Sequence, residues 1–495
     1  MCSINSNITA SFGGYWDASA AGVEDAEAAT GASLFFGGTA SGRAAGDPCY
    51  LPFLLTHKAS GRNSLTGAPV RWDYITAHVK GQSTSYETVV GEWGVSALIR
   101  SNPAWAAAGL GRLALSNDEG DPMVGWETPK DWRGDARYGA IIPKMVNQHL
   151  LAIHDNATAN NPLGWLSFDG AFMNGVGDNY TGFGERTMTA RFGGPFQGAS
   201  PFAFVRKNGL AAFHLLAMLP DARCAVAAPA ARAPLTDNFG ALAAFDGAGG
   251  GDLAVLVYNS ADCGNATAPP VAPAIAVAAS ALAPTPADGT VVALPFALDD
   301  APSRSPLAAW TAMGSPSLPT AGQLAALWAA AAGMGAPAGA PMALAVGAGG
   351  ALELPSAAAV PLPGALLWYV ADRRHAPAAP PPPLSPQAFR KAGNASLLGA
   401  AAQEVLLRWD CAAAARSLLA YDIQFSPAGV SGPWGTVNAP PFPQDTICSF
   451  SHAAPRAAQR PAYRLAAIDV WGRKGDYSVP VETQPWPLWP EERRR

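Results

Sequence analysis

Leu113-Ala114-Leu115-Ser116-Asn117, running into Asp118-Glu119-Gly120-Asp121-Pro122-Met123-Val124-Gly125-Trp126, is the stretch on which the reading of the fold turns. The short apolar run that opens it, ending in Ser116-Asn117, predicts a short strand, and the acidic, Gly- and Pro-bearing run predicts the loop that follows. Taken alone, such a run is more often a solvated turn. Its neighbours along the chain add weight. Strands are expected at Ser33-Leu34-Phe35-Phe36, closed by a Gly37-Gly38 turn, at Val70–His78 and at Trp165–Asp169. Between and around them, residues 11–28, Cys49–His57, Tyr86–Ile99, Trp132–Leu151 and Leu210–Leu219 carry apolar residues at helical spacing.

Strands alternating with helices imply right-handed βα units and a parallel sheet. The later strands end in polar residues: His78 and Lys80, then Asp118 and Glu119, then Asp169. In a (β/α)8 barrel those ends line the active-site face. Strands near residues 33, 72, 113 and 165 make half of such a barrel.

Beyond residue 220 the pattern changes to β. Leu253–Tyr258, Val291–Phe296 and Leu366–Val370 read as strands between Gly/Pro-rich turns, interrupted by one helix whose Thr320 and Gln323 form a capping box. Pro377-Ala378-Ala379-Pro380-Pro381-Pro382-Pro383 reads as a stiff linker. After it, Val405–Trp409, Tyr421–Phe425 and Tyr463–Asp469 alternate, and a buried Trp409 with Tyr463 before a late strand fits a fibronectin-III-like sandwich. The expected domains are thus 1–220, the C-terminal half of a TIM barrel (strands 5–8); 221–376, a β-sandwich; 377–386, a linker; 387–484, the fibronectin-like unit; and 485–495, a tail. Cys411 and Cys448 fall in one unit and are either a disulfide or two buried thiols.

Composition narrows the function. With 495 residues and 49% hydrophobic content, the chain is too long for one core and able to bury several. A net charge of −5, with no basic cluster before Arg493-Arg494-Arg495, argues against a nucleic-acid partner. No unbroken run of ~18 strongly apolar residues is present, so no membrane span is expected. Met1-Cys2-Ser3-Ile4-Asn5-Ser6-Asn7 has neither the basic nor the apolar section of a signal peptide. Sequons at Asn7, Asn156, Asn179, Asn265 and Asn394, with six cysteines, nevertheless lean toward a secretory glycoprotein. No metal-ligand cluster is visible, and no metal or organic cofactor is expected.

Asn117–Trp126 resembles the nucleophile loop of the α-L-iduronidase family, family 39 of the glycoside hydrolases. The likeness continues through Asp73-Tyr74-Ile75-Thr76-Ala77-His78-Val79-Lys80-Gly81, Ser167-Phe168-Asp169-Gly170-Ala171-Phe172 and Glu185-Arg186-Thr187-Met188-Thr189-Ala190-Arg191-Phe192. It resumes near the end at Tyr421–Ser426 and Ala467–Trp471. The resemblance implies retaining hydrolysis of terminal α-L-iduronic acid from a uronic-acid-containing polysaccharide, in a lysosomal, vacuolar or secreted protein. Residue by residue it implies Glu119 as nucleophile, with Lys80, Asp169 and Arg186 as substrate-binding side chains and Gly125 and Trp126 as backbone donors. An Arg fork and a Lys charge suit a planar sugar carboxylate. The other reading of Arg186 is a surface pair with Glu185 or Asp178, and His78 is expected to be a packed or supporting residue rather than a catalytic one.

One part of the family pattern is missing. Retaining hydrolysis needs a second carboxyl ~5–5.5 Å from the nucleophile, which this family carries in an Asn-Glu-Pro motif ending barrel strand four. No Asn-Glu-Pro occurs here. The expectation is a chain that begins after that motif and lacks activity by itself. The alternatives are a β-xylosidase-like relative, disfavoured because xylose has no carboxylate for Arg186 and Lys80, or a non-catalytic carbohydrate-binding protein.

Overall fold

The computed structural model describes residues 6–41, 50–125, 129–156, 158–171, 182–192, 203–227, 235–247, 252–264, 268–278, 289–347, 350–355, 359–372, 382–390, 402–410, 418–438, 442–443, 448–455 and 460–485. Trp126, Asn179, Asn265, Asn394, Cys411, the first half of the expected linker (377–381) and residues 486–495 lie outside them.

The first unit runs α1 (Ser6–Thr30), β1 (Gly37–Ser41), α2 (Tyr50–Ser60), β2 (Tyr74–Ala77), α3 (Tyr86–Ser101), α4 (Pro103–Ala107), β3 (Ala114–Gly120), α5 (Ala136–His149) and β4 (Leu163–Phe168). The strands pair in parallel in the order β1-β2-β3-β4. Parallel neighbours require a crossover, and the helices supply it. Local chemistry sets their starts. Asn102 accepts from the N–H groups of Ala104 and Trp105, with Pro103 at the first helical position, and Asp135 accepts from Arg137. Trp16, Leu51, Leu54, Leu55, Ile75, Val95, Ile99 and Leu115 join α1, α2 and α3 to the sheet in one buried cluster.

Strand boundaries differ from the sequence expectation, β4 by starting two residues earlier and ending at Phe168. The strand placed at Ser33–Phe36 begins instead at Gly37, and Leu34 and Phe35 are 40% and 80% exposed. The cause is close approach: a Cβ on Gly37 would lie 2.2 Å from the Tyr74 carbonyl oxygen, so β1 meets β2 where only glycine fits. The Val70–His78 strand shortens to Tyr74–Ala77, although Val70 and Trp72 stay buried. Most consequentially, β3 extends through Asp118 and Glu119 to Gly120 rather than stopping at Asn117. Its ladder continues past the acids, with Gly120 beside Phe168 and Asp121 bridged to Lys80.

After β4, β5 (Thr189–Phe192) and β6 (Ala203–Arg206) form an antiparallel pair that leads into α6 (Asn208–Ala217). The β-rich middle of the chain forms a seven-stranded sheet with Thr290–Leu298, Gly364–Asp372, Leu253–Asn259 and Phe239–Phe245 at its centre, all antiparallel. One face packs on α5 and α6: Ile141, Ile142, Met145 and Leu215 share a cluster with Leu256, Phe296, Leu367 and Tyr369. The other face buries Val255, Val257 and Val291 against Val277, Leu352 and Leu354 of the pair Ile275–Ala278 and Ala351–Leu354. Helix Ala321–Gly333 begins with the expected reciprocal capping box of Thr320 and Gln323.

The last unit places two antiparallel pairs, Ala402–Asp410 with Ser449–Pro455 and Leu418–Ser426 with Ala462–Asp469, around Trp409, Tyr421, Ile423 and Leu465. Strand Leu384–Arg390 joins the first of these sheets, so chain within the expected 377–386 linker already pairs, Leu384 opposite Asp410. Cys448 is disulfide-bonded. Of the sequons, Asn7 lies in α1, and Asn156 is exposed with Nδ2 donating to the Leu151 carbonyl at 2.9 Å.

One buried pair joins the first unit to the seven-stranded sheet. Lys144 of α5, 2% exposed, donates to Asp262 and to the Ser260 carbonyl, while Asp262 also accepts from the backbone and hydroxyl of Ser85 before α3. Asp262 sits at φ 54°, a conformation that Asn also tolerates. Asp262→Asn therefore keeps shape and backbone but leaves the buried Lys144 ammonium without its countercharge. Urea denaturation should show a loss of about 3 kcal/mol.

Candidate functional site

β3 and the chain just past β2 build the site together. On β3, Asn117 is 1% exposed and turned inward, whereas the Glu119 side chain is 25% exposed. The β3–β4 register shifts between Asn117 and Gly120. A bulge of this kind re-aims the side chains it carries. Glu119 consequently faces the chain after β2, where His78 and Lys80 stand two residues apart.

Lys80 donates from Nζ to Glu119 Oε2, and its Nζ lies 2.9 Å from Asp169 Oδ2. Asp169, at the end of β4 and 6% exposed, in turn pairs with the Arg186 guanidinium. Arg186 Nε lies 3.7 Å from Asp121 Oδ2, and Asp121 receives Arg133 Nη1 and Nη2 at 2.9 Å each. Acid and base therefore alternate along Glu119, Lys80, Asp169, Arg186, Asp121 and Arg133. Beside this chain His78 Nδ1 lies 2.8 Å from Asp118 Oδ1, and its Nε2 lies 3.6 Å from Glu119 Oε1.

Burial rises along the series. Lys80 and Glu119 are partly open, whereas Arg186, Asp121 and Arg133 are at most 1% exposed. Burial pushes the Arg186 guanidinium below its ordinary value, with Asp121 opposing the shift. At Arg133 burial is again the largest single influence and acts in the same direction, but the hydrogen bonds to Asp121 and the attraction of its charge together overcome it, and the net shift is upward. The Arg133 guanidinium also lies over the Trp132 ring, 4.3 Å from its centroid.

The segment that carries Arg186 is held from below. Lys207, wholly buried, donates from Nζ to the carbonyls of Phe183 and Glu185, and from its backbone to Met188 at 3.0 Å. Desolvation pushes Lys207 far below the usual lysine range. Arg186 Nη2 meets no acceptor among the described residues. A buried donor in this state needs a ligand or water to complete it.

The structure thus brings together Glu119, Lys80, Asp169 and Arg186. The alternative surface pairing of Arg186 is replaced by burial against Asp169 and Asp121. Gly125 lies at the end of the same loop with φ 87°, and Val124 donates to the Gly81 carbonyl. His78 stands beside both acids, bonded to Asp118 and beyond hydrogen-bond distance from Glu119. Sequence reasoning did not single out Asn117, Asp121, Arg133 or Lys207. The first two lay within the quoted motif, whereas nothing local marks Arg133 or Lys207 as site residues. Among the described residues no group of three or more His, Cys, Asp or Glu is placed to hold a metal ion, and no helix is long and apolar enough to cross a membrane.

The chain resembles known proteins over most of its length. Residues 395–484 match the model of the alpha-L-iduronidase C-terminal domain. Alpha-L-iduronidase of Homo sapiens is 32% identical over 445 residues, covering 86% of this chain and 61% of that protein. The Mus musculus enzyme is 29% identical, covering 86% of this chain and 63% of that one. The chain therefore spans about three fifths of the length of these curated relatives. A solved structure of a bacterial orthologue of human α-L-iduronidase superposes with a TM-score of 0.71 at 24% identity, covering 95% of this chain and 73% of that one. The chain is thus similar in sequence to the alpha-L-iduronidases, and over the part it spans it shares the fold of the bacterial orthologue.

Proposed function

We propose that this chain carries the nucleophile half of a retaining α-L-iduronidase-type site. In this reading the four parallel strands are the C-terminal half of a (β/α)8 barrel, followed by a β-sandwich and a fibronectin-III-like domain. The observation that carries it is the position of Glu119. It stands near the end of a parallel strand, a quarter exposed, and shares Lys80 with Asp169 and through it Arg186.

The chemistry follows from the charges. A Glu119 carboxylate oxygen bonds to the anomeric carbon as the glycosidic C–O bond breaks, and water later releases the sugar with retained configuration. Lys80 holds Oε2 and leaves Oε1 for attack. A terminal iduronate brings a planar carboxylate, which Lys80 attracts and the open Nη2 of Arg186 can bind. Gly125 and Trp126 are assigned backbone hydrogen bonds to the same carboxylate. A neutral xyloside has no carboxylate to offer the open Nη2 of Arg186.

The departing oxygen must still receive a proton, and the family's Asn-Glu-Pro acid is not among the 495 residues. Natural glycosaminoglycan-like polysaccharide, whose leaving group is a poor one, is then cleaved slowly or not at all by this chain by itself. The same reading sends the protein along the secretory route to a lysosome or vacuole, or out of the cell.

A deactivated α-L-iduronosyl fluoride separates nucleophile from acid, because fluoride leaves without protonation. Mass spectrometry should find one sugar adduct on the peptide containing Glu119, and none in Glu119→Gln. No adduct on the unmodified chain, or one that persists in Glu119→Gln, would sink the proposal, the first outcome favouring a binding-only protein. Lys80→Met and Arg186→Met should each raise the half-saturating concentration of the fluoride roughly tenfold to a hundredfold, the span expected for one charge-assisted hydrogen bond.

A further inference from the structure

We infer that Glu92 and His149 form a buried charged pair that orients the Asn117 amide, and that this amide positions both Glu119 and Lys80. The inference rests on the reading of Glu119 as nucleophile. None of the three touches the place where a sugar would sit, so all are positioning residues.

His149 ends α5 and Glu92 lies in α3, with side chains 1% and 2% exposed. The ring has an acceptor at each nitrogen: Nδ1 is 2.6 Å from the Met145 carbonyl, and Nε2 is 2.9 Å from Glu92 Oε1. That same Glu92 oxygen also receives Asn117 Nδ2 at 2.8 Å, so it accepts from two sides. An imidazole that donates from both nitrogens is the cation.

Asn117 spends all four of its hydrogen-bonding capacities. Its Nδ2 donates to Glu92 and, at 2.8 Å, to the Val79 carbonyl. Its Oδ1 accepts from Val79 N at 3.1 Å and from Glu119 N at 3.3 Å. Val79 stands between His78 and Lys80, so one amide ties the chain bearing Lys80 to the strand bearing Glu119. An amide can be turned end for end. Turned here, its NH2 would face the N–H groups of Val79 and Glu119, and its oxygen would face Glu92. An acceptor at Glu92 forbids that orientation, and His149 keeps Glu92 an acceptor.

A buried ion pair adds little net stability over apolar residues of the same shape. Orientation is what this pair supplies. The double variant Glu92→Met/His149→Leu tests it without leaving a lone buried charge. Its thermal midpoint should stay near that of the parent chain. Its maximal rate of labelling by the iduronosyl fluoride should fall roughly tenfold to a hundredfold, the scale of a misplaced reacting group, with little change in half-saturating concentration. His149→Gln, which keeps a donor toward Glu92, should retain most of the rate. A folded double variant labelled at the parent rate overturns the proposal.

A second measurement needs neither folded variants nor labelling. Nitrogen NMR of the histidines in the unmodified chain should show both ring nitrogens of His149 protonated at neutral pH, and a neutral ring overturns the pair. If the unmodified chain takes no label, the nucleophile reading fails, and this spectrum still decides whether the charged pair exists.

Discussion

Asp121 accepts two parallel hydrogen bonds from Arg133 in a place where neither side chain is exposed, and the rest of the site is arranged around that pair. Two charges removed from water are costly unless their remaining lone pairs and protons are satisfied. Asp121 meets the condition by also accepting from Met123 N at 2.8 Å and by lying 3.7 Å from Arg186 Nε. Its backbone carbonyl accepts from Gly81 N, so the same residue ties the loops after β2 and β3 together. Once Asp121 is engaged by two guanidinium groups, Arg186 leans toward Asp169, Asp169 toward Lys80, and Lys80 toward Glu119. Each link offsets the burial of the one before, until the series reaches the partly open carboxylate.

This alternation explains why Glu119 differs from the other acids. Asp121 and Asp169 are enclosed and committed to guanidinium partners, so they are poor candidates for attack on anything brought from outside. Glu119 has one oxygen on Lys80 and the other 3.6 Å from His78, too long for a firm hydrogen bond. The least constrained oxygen of the series is thus the one nearest solvent. Rigid support beneath a single accessible group is what a positioned nucleophile requires.

How much of this could be read from the chain alone depended on range. β3 was legible because its short apolar run and the acidic turn after it are local signals, and Glu119, Lys80 and Asp169 followed from strand ends. Leu34-Phe35-Phe36 misled because apolarity was taken as the strand signal, whereas the ladder forms at Gly37, where another backbone comes too close for a side chain. Arg133, Lys207 and His149 were not legible. Arg133 follows the strand by a dozen residues in an unremarkable turn, Lys207 precedes a helix of another sheet layer, and His149 lies one turn above Met145 on a helix that reads as ordinary core. Their roles exist only through contacts with Asp121, with the carbonyls of Phe183 and Glu185, and with Glu92.

Those contacts give the β-rich middle of the chain a part in the site. α5 has buried residues around most of its circumference, because the four-stranded sheet lies on one side and the seven-stranded sheet on the other. Helix burial on two sides is what lets one helix hold Lys144 against Asp262, Asn147 against the Tyr258 hydroxyl, and His149 against Glu92. Arg133 enters the site from the short turn immediately before the same helix. A shift of α5 by a fraction of a turn would move both Arg133 and His149, at opposite ends of the helix, away from their carboxylates. The antiparallel sheet that packs on α5 through Leu256, Phe296 and Leu367 opposes such a shift, and so helps fix the geometry around Glu119 without contributing a residue to it.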